Sequence, residues 1–132
     1  MMYSAQDMTA ETFQGWRLDG LIDELLAAHR ADGAGKASRT LLKSKELTVV
    51  LTVLPQGHEL KEHHAAASLL VVPLRGEVVF TQGERHAPVG TQGSQVLALG
   101  QGQVHAVRAL TDSAFLLVLG TLHREPQAGA AP

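Results

Sequence analysis

The apolar positions of the chain change period once, near residue 38. Upstream, Leu18, Leu21, Ile22, Leu25 and Leu26 recur three and four residues apart, the spacing that gathers side chains on one face of an α-helix. This predicts one short N-terminal amphipathic helix of about three turns, with Asp19 as its N-cap and Gly33 as its stop. The stripe is too short for a coiled coil, so the helix is expected to pack on a sheet. Residues 1–17 keep no period and read as an arm whose Phe13 and Trp16 dock on an apolar surface.

From residue 38 onward the period is two. Within 46–54, Leu47, Val49, Leu51 and Val53 share one face, and Thr48, Val50, Thr52 and Leu54 share the other. That pattern predicts a strand buried on one side and partly covered on the second. Short apolar runs follow at 68–74, 77–81, 94–99, 104–110 and 114–122, separated by Gly76, Gly83, Gly90, Gly93, Gly100, Gly102 and the Asp112-Ser113 pair. Strands this short, at near-regular intervals and with turn residues between them, predict an all-β sandwich or barrel. The Ala-, Gly- and Pro-rich residues 124–132 are expected to form a flexible tail. The expected organisation is therefore an arm and helix over 1–37, a barrel domain over 38–123, and a tail over 124–132.

Composition narrows the partners. At 132 residues the chain suits one domain whose core needs no disulfide or structural metal. Hydrophobic residues make up 45% and aromatics 4%, so that core must be built from Leu, Val and Ala. Five aromatic residues leave little for stacking on bases, and a net charge of −2 without a basic cluster excludes a phosphate-binding face. No nucleic-acid partner is expected. The absence of cysteine removes disulfides and thiol nucleophiles. Charged residues interrupt every apolar stretch near the N-terminus, and no run reaches the roughly 18 residues of a membrane span. The expectation is a soluble, cytoplasmic protein with no membrane partner.

Two glycine-bracketed segments carry the chemistry. The first, LPQGHELKEHHAAASLLVVPLRGEV, runs from Gly57 past His63 to Gly76; the second places Gly93, Gly102 and His105 in order. Over residues 38–122 these segments resemble the two motifs of the cupin superfamily, and the chain looks like its small free-standing members of unassigned activity. The resemblance implies a cupin-type jelly-roll β-barrel, a homodimer, and His63 and His105 directed into the barrel. It also shows departures. Ala65 stands at the second histidine position of the first motif, Leu69 at its glutamate, Gly100 at the usual proline of the second motif and Ala109 at its asparagine.

Side chains two apart on a strand share a face, so His63 shares its face with the methyl group of Ala65, and His64 is expected to point outward unless a bulge intervenes. His29, near the helix end, is expected on the surface, and His86 and His123 are expected to be solvated. Two imidazoles fall short of the three protein ligands of catalytic zinc, or of two histidines plus a carboxylate for non-haem iron. A third donor for Fe, Mn, Ni or Zn would have to be His58, Gln103, Gln95 or a His64 turned inward by a bulge.

The leading expectation is a small-molecule-binding barrel without a complete native metal site. Its pocket is formed by His63, His105, Ala65, Leu69 and Gln103, with a small organic ligand as partner and no cofactor. One alternative is a metal-dependent oxygenase, isomerase or decarboxylase using His63, His105 and a nonstandard third ligand. A barrel filled solid by Leu and Val, with an interaction role, is another. No P-loop, nucleophile elbow or dinucleotide fingerprint appears, and no residue is assigned as catalytic.

Overall fold

The computed structural model describes residues 6–32, 37–65 and 67–120. In chain order the elements are β1 (Gln6–Asp7), α1 (Leu18–Asp32), β2 (Ala37–Lys43), β3 (Leu47–Leu54), β4 (Glu59–His64), β5 (Leu69–Arg75), β6 (Glu77–Gln82), β7 (Arg85–Gly90), β8 (Leu97–Leu99), β9 (Val104–Ala109) and β10 (Ser113–Gly120). A six-stranded sheet runs β1-β2-β3-β10-β5-β8 and a four-stranded sheet runs β4-β9-β6-β7. The last long strand, β10, is inserted between β3 and β5 and is antiparallel to both. In the other sheet β9 separates β4 from β6 in the same way. Distant segments thus pair ahead of neighbours, which is the jelly-roll arrangement.

Strand alternation divides the apolar residues between two cores. Leu54, Val71, Val78, Phe80, Val89, Val107 and Phe115 face the interior between the sheets. Leu51 and Val53 of β3 and Ala114 of β10 face outward, where Ile22, Leu25 and Leu26 of α1 cover them. The helix therefore packs on the sheet, and β3 is buried on both sides from Leu51 to Leu54.

Several local expectations change. The helix opens at Leu18 and spans 15 residues, about four turns, so Asp19 lies in its first turn and is not the N-cap. Its carboxylate instead lies 3.8 Å from Arg75, while Asp23, one turn on, accepts a 2.7 Å bond from the same guanidinium. Of the two aromatic residues expected to dock, Trp16 packs beside the helix core and Phe13 is fully exposed. Residues 6 and 7 pair with β2, so part of the arm belongs to the sheet. His86, expected to be solvated, is exposed on β7. Gly33, His123 and the tail at 124–132 lie outside the described residues. Among the described residues, no helix is long and apolar enough to cross a membrane.

Candidate functional site

The site is organised by an irregularity in β4. Leu60 pairs with Val107 and His63 with His105, so three steps along β4 match two along β9. An extra residue against an unbroken partner strand is a β-bulge, and it resets which side chains face inward. Regular alternation from Leu60 would turn Glu62 and His64 into the barrel. With the bulge, His63 takes that place opposite His105. The His63 ring closes back on the bulge, with Nδ1 3.0 Å from the Lys61 carbonyl oxygen.

Past His64 the strand ends. The Ala65 N–H donates to the Gln103 carbonyl at 2.9 Å, and the Ala65 carbonyl accepts from Gly102 at 2.8 Å. These two bonds tie the chain to the turn before β9 and hold the Ala65 methyl group in the core, 3% exposed. His63, His64 and Ala65 therefore line one cavity in succession. His64, expected to point outward, stands at its mouth, because the bulge and the end of the strand both interrupt the pleat.

The cavity is about 190 Å³ and is lined by Thr52, Leu60, His63, His64, Ala65, Leu69, Phe80, His105, Val107, Phe115, Leu117 and Leu119. His63 and His64 are exposed at its edge, while His105 is buried at its back. The rings of His63 and His105 lie edge to face, 4.2 Å between centroids and inclined by 61°. Phe80 backs His105 at 5.8 Å. The His105 Nδ1 lies 3.3 Å from the Gln103 carbonyl oxygen. A carbonyl oxygen can only accept, so in both histidines Nδ1 carries the hydrogen and Nε2 is the nitrogen without a backbone partner. Burial pushes the His105 imidazole below its ordinary pKa; the Gln103 carbonyl opposes this, and the neighbouring His63 adds to it.

Of the residues expected at the site, His63, His105, Ala65 and Leu69 converge here. Gln103 contributes its carbonyl to His105, but its side chain faces a neighbouring cavity and bonds Gln82. His58 is not at the cavity and cannot be a third ligand with His63 and His105. It packs edge to face on His29, 4.6 Å between centroids, at the end of α1. His29 itself is 3% exposed, contrary to its expected surface position, and its Nε2 has no hydrogen-bond partner. Gln95 bridges to Gly90, away from the cavity. The residues missed in sequence are chiefly wall-formers, notably Leu60, Leu117 and Leu119. The alternation in β10 carried the signal for the last two, since both lie in step with Phe115.

This geometry can be set beside known structures. A cupin superfamily protein of Desulfitobacterium hafniense superposes with a TM-score of 0.59 at 20% identity, covering 65% of this chain and 77% of that one. An RmlC-like cupin of Desulfovibrio desulfuricans covers 86% of this chain and 95% of its own at 22% identity, with a TM-score of 0.58. The fold is that of the cupins. The DMSP lyase DddQ of Ruegeria pomeroyi shares it as well, at 19% identity and a TM-score of 0.60, over 69% of this chain and 49% of the lyase. No family model matches the sequence, and no curated protein matches it.

Among the described residues, the cavity wall holds the imidazoles of His63, His64 and His105, the Thr52 side chain, and aliphatic and phenyl groups, with no carboxylate. Among the described residues, no three His, Cys, Asp or Glu side chains come together in a way that could hold an ion.

Proposed function

We propose that this cupin barrel binds a small, mostly apolar organic molecule that carries a hydrogen-bond donor, such as a phenol or an alcohol. One observation carries the reading. In a cavity that is apolar apart from Thr52 and the His64 ring at its mouth, His63 and His105 each engage a backbone carbonyl through Nδ1, which leaves the two Nε2 nitrogens as its inner polar groups, with no Asp, Glu, Lys or Arg among the described lining residues. The lowered pKa of His105 keeps that acceptor unprotonated near neutrality. A ligand with an O–H or N–H satisfies the ring nitrogens, and its apolar body replaces water against Leu60, Leu69, Leu117 and Leu119. An engineered cavity of about 150 Å³ accepts benzene. The space here therefore suits a single substituted ring or a short chain.

Paired ligands separate shape from polarity. At pH 7.5, p-cresol is expected to raise the melting temperature and to bind up to about tenfold more tightly than toluene, the value of one neutral hydrogen bond. His63→Ala and His105→Ala are each expected to narrow that preference while toluene still binds. A panel of phenols and alcohols that gave no stabilisation would sink the proposal. So would an undiminished preference for cresol in both variants. Protein purified without a nickel column is expected to carry Fe, Mn, Ni and Zn only far below one equivalent.

A further inference from the structure

We infer that a second cavity, beyond Phe80 from the histidines, is a binding site for an organic anion with an apolar body. It measures about 310 Å³ and lies where β7 and β8, edge strands of the two sheets, approach each other. Phe80, Leu97 and Leu99, all part of the interior core or packed on it, form its apolar side. Gln82, Arg85 and Gln103 form its polar rim, with the exposed His86 beside them.

The rim is ordered by its own hydrogen bonds. Gln82 Nε2 donates to Gln103 Oε1 at 2.8 Å and to the Val104 carbonyl at 3.1 Å. Its Oε1 is thereby turned toward Arg85, whose Nη2 donates to it. One of the five N–H donors of the guanidinium is used in this way, and the amide that receives it is fixed from both sides. Arg30, Arg39 and Arg75 are paired with carboxylates. Arg85 is paired with none among the described residues; Arg17 and Arg108 share that lack, but they border neither cavity.

A held guanidinium with free donors at the edge of an apolar cavity is matched by a carboxylate, which can take two parallel hydrogen bonds from it. His86, the next residue along the strand, also lines the cavity. The two cavities therefore select opposite chemistry. The histidine cavity offers acceptors to a neutral donor, and the Arg85 cavity offers donors to an anion.

Benzoate tests this in isotope-labelled protein followed by NMR. Saturable shifts are expected at Gln82, Arg85, Leu97 and Leu99, with a Kd of about 1 mM or tighter. Arg85→Gln removes the charge from an exposed side chain and leaves the fold intact. It is expected to weaken benzoate at least tenfold while cresol still shifts Leu60 and Leu119. Benzamide, neutral and of the same shape, is expected to bind at least tenfold more weakly than benzoate. Benzoate shifts confined to the histidine cavity, or unchanged affinity in Arg85→Gln, would overturn the inference. Displacement by inorganic phosphate at equal concentration would also overturn it, because the apolar side would then contribute nothing.

Discussion

His105 shows how one residue joins fold to function. Its strand position turns it inward, the Gln103 carbonyl fixes its hydrogen on Nδ1, and burial makes its protonated form costly. The consequence for stability has a definite sign. The folded pKa lies below the unfolded value of about 6.5, so between the two the unfolded chain binds more protons. This contribution is fully present above about pH 6.5, is lost as pH falls through the depressed folded pKa, and levels off below it. Urea unfolding at pH 7.5 and 5.5 is expected to show a larger acid-induced loss for the wild type than for His105→Gln. A ring proton of His105 titrating at or above the ordinary histidine value would contradict the account. His105 was legible in sequence because it stands at the histidine position of the second motif of the cupin resemblance. His29 was not: its burial comes from the 55–58 turn folding under the helix end, a contact between segments that no local pattern records.

Among the elements, legibility followed apolar content. β3, β6, β9 and β10 alternate or run in Val and Leu, and each lies close to where the period predicts it. β4 reads Glu-Leu-Lys-Glu-His-His and offers one apolar residue, so nothing in it reveals the bulge that selects His63. β7 opens on two polar residues, contains Pro88 and forms a sheet edge, where proline is tolerated because its missing N–H costs no ladder bond on the open side. Turns were clearer than edges. Gly76 joins β5 to β6 at φ 73°, and a β-carbon there would overlap the Asp112 carbonyl oxygen and sit 2.6 Å from Thr111 Oγ1. Gly83, in the next turn, has φ 60° but open space around it. Left-handed geometry alone costs an L-residue about 1–2 kcal/mol. Gly83→Ala is therefore expected to lose about that much in urea unfolding. Gly76→Ala should lose at least about 1–3 kcal/mol more, as for an overpacked core. Equal losses at the two glycines would show that the turn at Gly76 yields freely.

At the scale of the molecule, the cavity is where a Leu- and Val-built interior runs short of volume. Aromatic residues make up 4% of the chain, and two of them, Phe80 and Phe115, meet in the barrel centre with centroids 6.1 Å apart. Val71, Val78 and Val89 fill the interior around them. Toward His63 the walls of the cavity are Leu60, Leu69, Leu117 and Leu119. If that space exists for a ligand, it is held open at some cost to stability, and filling it should separate the two properties. Leu117→Phe places a ring where the ligand is proposed to sit. It is expected to raise stability by about 0.5–2 kcal/mol, as cavity-filling changes commonly do, while abolishing the cresol response. Both readouts are needed. A loss of stability would mean that the walls are already close-packed and the cavity is too small to use. A more stable variant that bound cresol as before would place the ligand elsewhere, leaving His63 and His105 as a polar pair that serves the fold alone.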